Sequence, residues 1–175
     1  MRLPRVLVEK LRSLGLDIES VVVELLLDSL KLNPIEEAWV RLELARRFIE
    51  EARTFLDQGD SVQASEKLYK VVEECVKILA VLHQVPELEE VKRRGRWDTW
   101  ILGRASSSLA RVLGEERIRV TWALAYDVHV WGFHEAKYTL DDVKPLLPYV
   151  EWLLDYTRNK LEERRVSNLA WELTS

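Results

Sequence analysis

The sequence predicts an all-α protein: an up-and-down antiparallel bundle of four or five helices, with a short N-terminal helical hairpin in front of it. Three observations carry this. Apolar residues recur at alternating spacings of three and four through most of the 175 residues. Asn-Pro, Asp and Thr stand before those runs and Gly stands after them, which are the ordinary start and stop signals of helices. The chain has only 6 Gly and 5 Pro beside 47% apolar residues, so it has little material for long loops and enough for a core.

The first element is LPRVLVEKLRSL, residues 3–14, with Pro4 near its first turn and Gly15 as its stop. Asp17 caps a second helix running to about Leu32. Val21, Leu25 and either Asp28 or Ser29 give it an imperfect stripe. The Val21-Val22-Val23 trio also permits a strand, but the Leu- and Glu-rich continuation favours helix. Residues 1–33 therefore read as an appendage, 34–165 as the bundle and 166–175 as a C-terminal tail.

The bundle opens on Asn33-Pro34-Ile35-Glu36, a cap, a proline where its missing N–H costs nothing, and a reciprocal carboxylate. The helix runs to about Leu56 with Ala38, Ala45, Phe48, Ala52 and Phe55 on one face. After Gly59, Asp60 starts the clearest helix in the chain, in which Leu68, Val72, Cys75, Leu79 and Leu82 recur at spacings of 4, 3, 4 and 3. Its other face carries Glu66, Lys70, Glu73 and Lys77, read as two i,i+4 pairs, Glu66–Lys70 and Glu73–Lys77, worth about 0.2–0.5 kcal/mol each. So short a turn makes residues 35–83 an antiparallel hairpin. Residues 84–96 read as a flexible link. Helices at 97–113, 115–133 and 140–164 follow, the last started by Thr139 and Asp142.

Net charge is -4, which gives no general attraction to nucleic acid. Between Lys92 and Arg119, however, eight basic residues meet only Asp98, Glu115 and Glu116, a local excess of five. Arg93, Arg94, Arg104 and Arg119 lie in that stretch near Trp100 and Trp131, so bases stacking beside arginines are one reading. The bland alternative makes the basic run solvated, and Trp97 and Trp122 core. A high charge content with few amides fits a thermophilic source.

No unbroken apolar run spans a membrane and the N-terminus lacks a signal-peptide pattern, so a cytoplasmic location is expected. The single Cys75 lies on the apolar stripe and reads as an inert buried thiol. His129 falls on an apolar stripe, with Tyr126 and Tyr138 as potential company, while His134 stands five residues on. In an α-helix such positions point about 140° apart. The pair therefore does not read as a tight chelate, and no metal and no cofactor is expected. His129, His134 and Arg119 stay as the candidates for catalysis, with His129 a general base only where a nucleophile or substrate lies nearby. Glycine-rich phosphate loops and HExxH are absent from the sequence.

Four segments are more distinctive: ARRFIEEARTFL (45–56), GDSVQASEKLYKVVEECVKILA (59–80), GRWDTW (95–100) and VHVWGFHEA (128–136). Together they resemble the archaeal PaREP1 family, within the HEPN-like helical superfamily, over roughly residues 34–155. The resemblance implies a helical bundle that is often dimeric. It also implies a nucleotidyltransferase-like protein as a partner, or ribonuclease activity in one branch. That branch places an Arg four to six residues before a His. Here neither His129 nor His134 has an arginine at that spacing, and Arg119 lies ten residues before His129.

The functional expectation is a non-catalytic helical interaction protein forming a homodimer, which calls for an exposed apolar face on the 35–83 hairpin. The alternatives are an RNA-binding protein or ribonuclease, and a nucleotide or small-ligand protein with a pocket near Tyr126, His129 and Trp131.

Overall fold

The computed structural model describes residues 3–14 and 17–174, with side chains described from 3 to 165 except those of Arg12 and Asp28. Gly15, and the side chain of Asp28 in the predicted stripe, thus lie outside the described residues. The elements are α1 (Arg5–Ser13), α2 (Ile18–Leu30), α3 (Pro34–Gln58), α4 (Ser61–Leu82), α5 (Glu87–Arg94), α6 (Thr99–Leu113), α7 (Arg117–Val128), a π-helical turn (His129–His134), α8 (Leu140–Val143), a 3-10 turn (Lys144–Leu146) and α9 (Leu147–Thr174). The described residues contain no strand, so the fold is all-α as predicted.

The chain divides into two compact units, residues 1–37 and 38–175. In the first, the Asp17 carboxylate accepts from the Ser20 amide at 2.8 Å and starts α2. The Asn33 side chain accepts from the amides of Ile35 and Glu36, while the Asn33 amide donates to Glu36. This is the reciprocal box that the sequence spelled out.

In the second unit, α3 and α4 form the predicted antiparallel hairpin. The cross-contacts fix its register: Arg41 meets Glu74, Lys67 lies over Phe48, and Lys67 meets Glu51. The Asp60 side chain accepts from Gln63 at 2.9 Å and begins α4. Leu68, Val72, Cys75 and Leu79 are fully buried, and burial pushes the Cys75 thiol up to about 12.

The other face of α4 corrects the sequence reading. The helix packs against α5, α6, α7, the π-turn, α8 and α9, and so lies at the centre of the unit. Glu66, Glu74 and Lys77 are buried. Glu74 accepts from Arg41 at 2.9 Å and from Lys77 at 2.7 Å; Lys77 also meets Glu73 at 2.9 Å, and Lys70 meets Glu73 at 3.0 Å. Burial works to raise the Glu73 pKa, but Lys77 and Lys70 outweigh it and hold the carboxyl well below its usual range. A face read from spacing as two i,i+4 pairs is thus an internal lattice of paired charges, in which Glu73–Lys77 is kept. Charges so placed are tolerated only because each finds an opposite partner.

Residues 84–96 are also more ordered than predicted. Glu87, Glu89 and Glu90 occupy the first turn of α5 and Lys92, Arg93 and Arg94 its last, the arrangement that suits the helix dipole. Buried Glu87 accepts from Ser108 at 3.0 Å and fastens α5 to α6. At the C-terminus, α9 runs from Leu147 to Thr174. Its stripe of Val150, Leu153, Thr157 and Leu161 is fully buried, and Pro148 falls in its first turn. Among the described residues no helix is long and apolar enough to cross a membrane.

Candidate functional site

Two neighbouring features of the second unit gather the chemically capable side chains. The first is a cleft of about 690 Å³ lined by Arg94, Asp98, Thr99, Trp100, Gly103, Trp122 and Tyr126. It forms where the end of α5 and the start of α6 meet α7. The turn through Gly95 brings Arg94 back toward Asp98, which it meets at 2.6 Å, and places its guanidinium 5.8 Å from the Trp100 ring. Arg96 meets the same carboxylate at 3.0 Å, and Arg94 also lies 3.9 Å from Glu90. On α7, Trp122 and Tyr126 stand one turn apart with rings 7° from parallel. Trp122 is buried, whereas Trp100 and Tyr126 are exposed.

The second feature is a histidine pair. The residues from His129 to His134 form a π-turn, with Glu135 donating to the carbonyl of Val130 at 2.9 Å. The i→i+5 bond adds a residue to the turn, so positions five apart return to one face. This overturns the α-helical estimate that His129 and His134 point apart: their Nε2 atoms are 3.0 Å from each other. The imidazole of His129 stacks on Tyr69 with centroids 3.9 Å apart, and its Nδ1 lies 2.9 Å from Glu66 Oε2. That separation is an ion-pair distance, yet neither atom makes an aligned hydrogen bond. Glu66 and His129 are largely buried, while His134 is exposed.

Gly132 holds the turn against α4. A Cβ there would collide with Ser65 Oγ and lie 2.9 Å from Ser65 Cβ, so any side chain must push the π-turn outward. Tyr69 links the two features, because its ring stacks on His129 and meets Trp122 of the cleft at a tilt, with centroids 5.7 Å apart and planes 52° from parallel.

Three sequence candidates, Arg94, Trp100 and Tyr126, therefore share one cleft, and two others, His129 and His134, share one turn. The remainder stand apart from the cleft lining. Arg93 pairs with Glu90 on the exposed face of α5, Arg104 lies 3.8 Å from Glu87, and Arg119 pairs with Glu116. The local basic excess is thus largely answered by acids just upstream of the segment. Trp131 is exposed on the π-turn. Tyr138 donates to Asp127 at 2.7 Å and borders a smaller cleft of about 360 Å³, so neither it nor Tyr126 is the tyrosine against His129. Glu66, Tyr69, Asp98, Thr99 and Trp122 were not among the sequence candidates. For Glu66 and Tyr69 the available signal was Gly132 between two histidines spaced for a π-turn. Among the described residues, no group of three or more His, Cys, Asp or Glu surrounds an ion position.

The chain matches the profile of the archaeal PaREP1/PaREP8 family over residues 40–154. It belongs to that family. A crystal structure of a Sulfolobus solfataricus protein is similar at 38% identity and a TM-score of 0.61, covering 67% of this chain and 95% of that one. A solution structure of the same structural-genomics target gives 39% identity and a TM-score of 0.61, with 67% and 91% covered. No curated protein matches the chain. In this PaREP1/PaREP8 member, every residue of the cleft and of the histidine pair falls inside the matched span.

The close approach at Gly132 yields a stability prediction. Gly132→Ala should lower stability by about 1–3 kcal/mol, the range of core overpacking. Combining it with Ser65→Gly should cost less than the two separate losses, because the collision is with that side chain. Thermal melts read both quantities; wild-type stability in Gly132→Ala would contradict the packing described.

Proposed function

We propose that the protein is a non-catalytic helical binding protein that takes a planar anionic ligand, a nucleotide or a single-stranded nucleotide segment, in the Arg94–Trp100–Tyr126 cleft. The observation that carries this reading is the convergence of a guanidinium with exposed and buried aromatic rings on one concave surface. Trp100 and Tyr126 offer faces for a base, and Arg94 offers paired N–H donors for a phosphate. Asp98 orients Arg94 and offers an acceptor for an exocyclic amine. Ribonuclease chemistry finds less support, since Arg119 is engaged with Glu116 on the exposed face of α7 and is not part of the His129 cluster.

Fluorescence anisotropy with a labelled mononucleotide and a labelled uridine oligonucleotide, each at two salt concentrations, tests the reading. Saturable binding is expected, at least tenfold weaker in Arg94→Ala and in Trp100→Ala. Tighter oligonucleotide binding that falls steeply with salt would identify a single strand as the occupant. No binding of either probe, or binding indifferent to both substitutions, would overturn the proposal.

Homodimerisation is a second reading, with a changed location. The 35–83 hairpin exposes no large apolar residue among the described ones, so the expected face is not there. Val120 and Leu124 lie one turn apart on α7, and both are exposed, as is Trp131 beyond them. Exposed apolar side chains on α7 and the turn after it suit a second copy of the chain. Sedimentation equilibrium should show a dimer that Leu124→Glu dissociates; a monomer at every concentration would count against it.

A further inference from the structure

We propose that His129 and His134 together bind one divalent transition-metal ion through their Nε2 atoms. The argument begins with distance. Metal–imidazole bonds of about 2.0–2.1 Å, meeting at angles between square and tetrahedral, place the two nitrogens about 2.9–3.3 Å apart. The observed separation is 3.0 Å, so the pair accepts an ion with little rearrangement. The rings meet nearly edge-to-face at 77° with centroids 4.4 Å apart, closer than a head-on N–H···N contact would set them. The two lone pairs are therefore angled rather than opposed.

The surroundings of His129 supply what a ligating imidazole ordinarily needs. Coordination at Nε2 fixes the ring proton on Nδ1, and Nδ1 is the atom that faces Glu66 Oε2 at 2.9 Å. Buried Glu66 Oε2 and His129 Nδ1 both lack an aligned hydrogen bond, and a small rotation of the coordinated ring satisfies both. Glu66 acts here as a positioning residue. Tyr69 stacked on the ring and Gly132 seated against Ser65 limit how far the pair can move.

Two imidazoles and no carboxylate ligand favour zinc, nickel or copper over magnesium or calcium. The exposed position of His134 leaves the remaining coordination sites to water or to an incoming ligand. The site is independent of the cleft proposal, because it rests on different residues.

The test uses the full chain, titrated with zinc chloride in a non-chelating buffer near neutral pH. Calorimetry counts the ions, and the nitrogen-15 signals of the three histidine rings report where they bind. One ion per chain is expected, moving the Nε2 signals of His129 and His134 and leaving those of His83 in place. His134→Ala, at an exposed position, should fold normally and bind at least tenfold more weakly. Glu66→Gln should bind about 10–100-fold more weakly while both ring signals still respond. Titration with magnesium should leave the rings unmoved. Absence of zinc binding, undiminished affinity in His134→Ala, or response centred on His83 would each overturn the site and leave the two histidines joined by a shared proton alone.

Discussion

The buried carboxylate of Glu74, held between Arg41 and Lys77, is the constraint around which the second unit is organised. Opposite charges at this depth cannot trade partners with water, so removing one takes from its neighbours a partner that water does not replace. Arg41 comes from α3 and both partners from α4, which fixes one helix against the other in register as well as in distance. A hydrophobic stripe alone would allow the two helices to slide by a turn; a buried ion pair does not. Glu73 extends the lattice toward Lys70, and Glu66 extends the same buried face toward the π-turn. The central helix can therefore be surrounded by neighbours on every side while Glu73, Glu74 and Lys77 stay paired.

From that helix the chemical features follow. Ser65, Glu66 and Tyr69 occupy the first turns of α4, where they meet Gly132 and His129 of the π-turn. Tyr69 then reaches past His129 to Trp122, so one rigid residue contacts both the histidine pair and the wall of the cleft. Sites of this kind gain definition from being carried by helices rather than loops. The cleft and the pair remain chemically distinct: one offers aromatic faces with a cation, the other two convergent imidazole nitrogens backed by a carboxylate.

The sequence disclosed the helices far better than the site. Asn33, Asp17 and Asp60 cap as their types and positions require, because capping is a local matter settled within four residues. The stripe from Leu68 to Leu79 also lies where periodicity puts it. On the charged face of α4 spacing paired Glu73 with Lys77 correctly and missed the burial, since it says which residues share a face but not how many neighbours cover it. Residues 84–96 looked like a link because Pro86 and Gly95 bracket a short, highly charged run, yet those charges are ordered to favour a helix. The histidine pair was hidden for a different reason. A five-residue spacing separates side chains in an α-helix and joins them in a π-turn, and the choice between the two depends on Gly132 pressing against Ser65, a residue 67 positions away.

Chemical denaturation of a Glu74 and Arg41 mutant pair tests the organising role of the buried lattice most directly. Glu74→Leu alone should cost about 3–5 kcal/mol, because it removes the one carboxylate that two buried cations, Arg41 and Lys77, share. Adding Arg41→Met should recover a large part of that loss, since one of the two cations that shared the carboxylate is removed and its stem volume is kept. Losses below about 1 kcal/mol for Glu74→Leu, simply adding to that of Arg41→Met, are the behaviour of an exposed pair and would contradict the account.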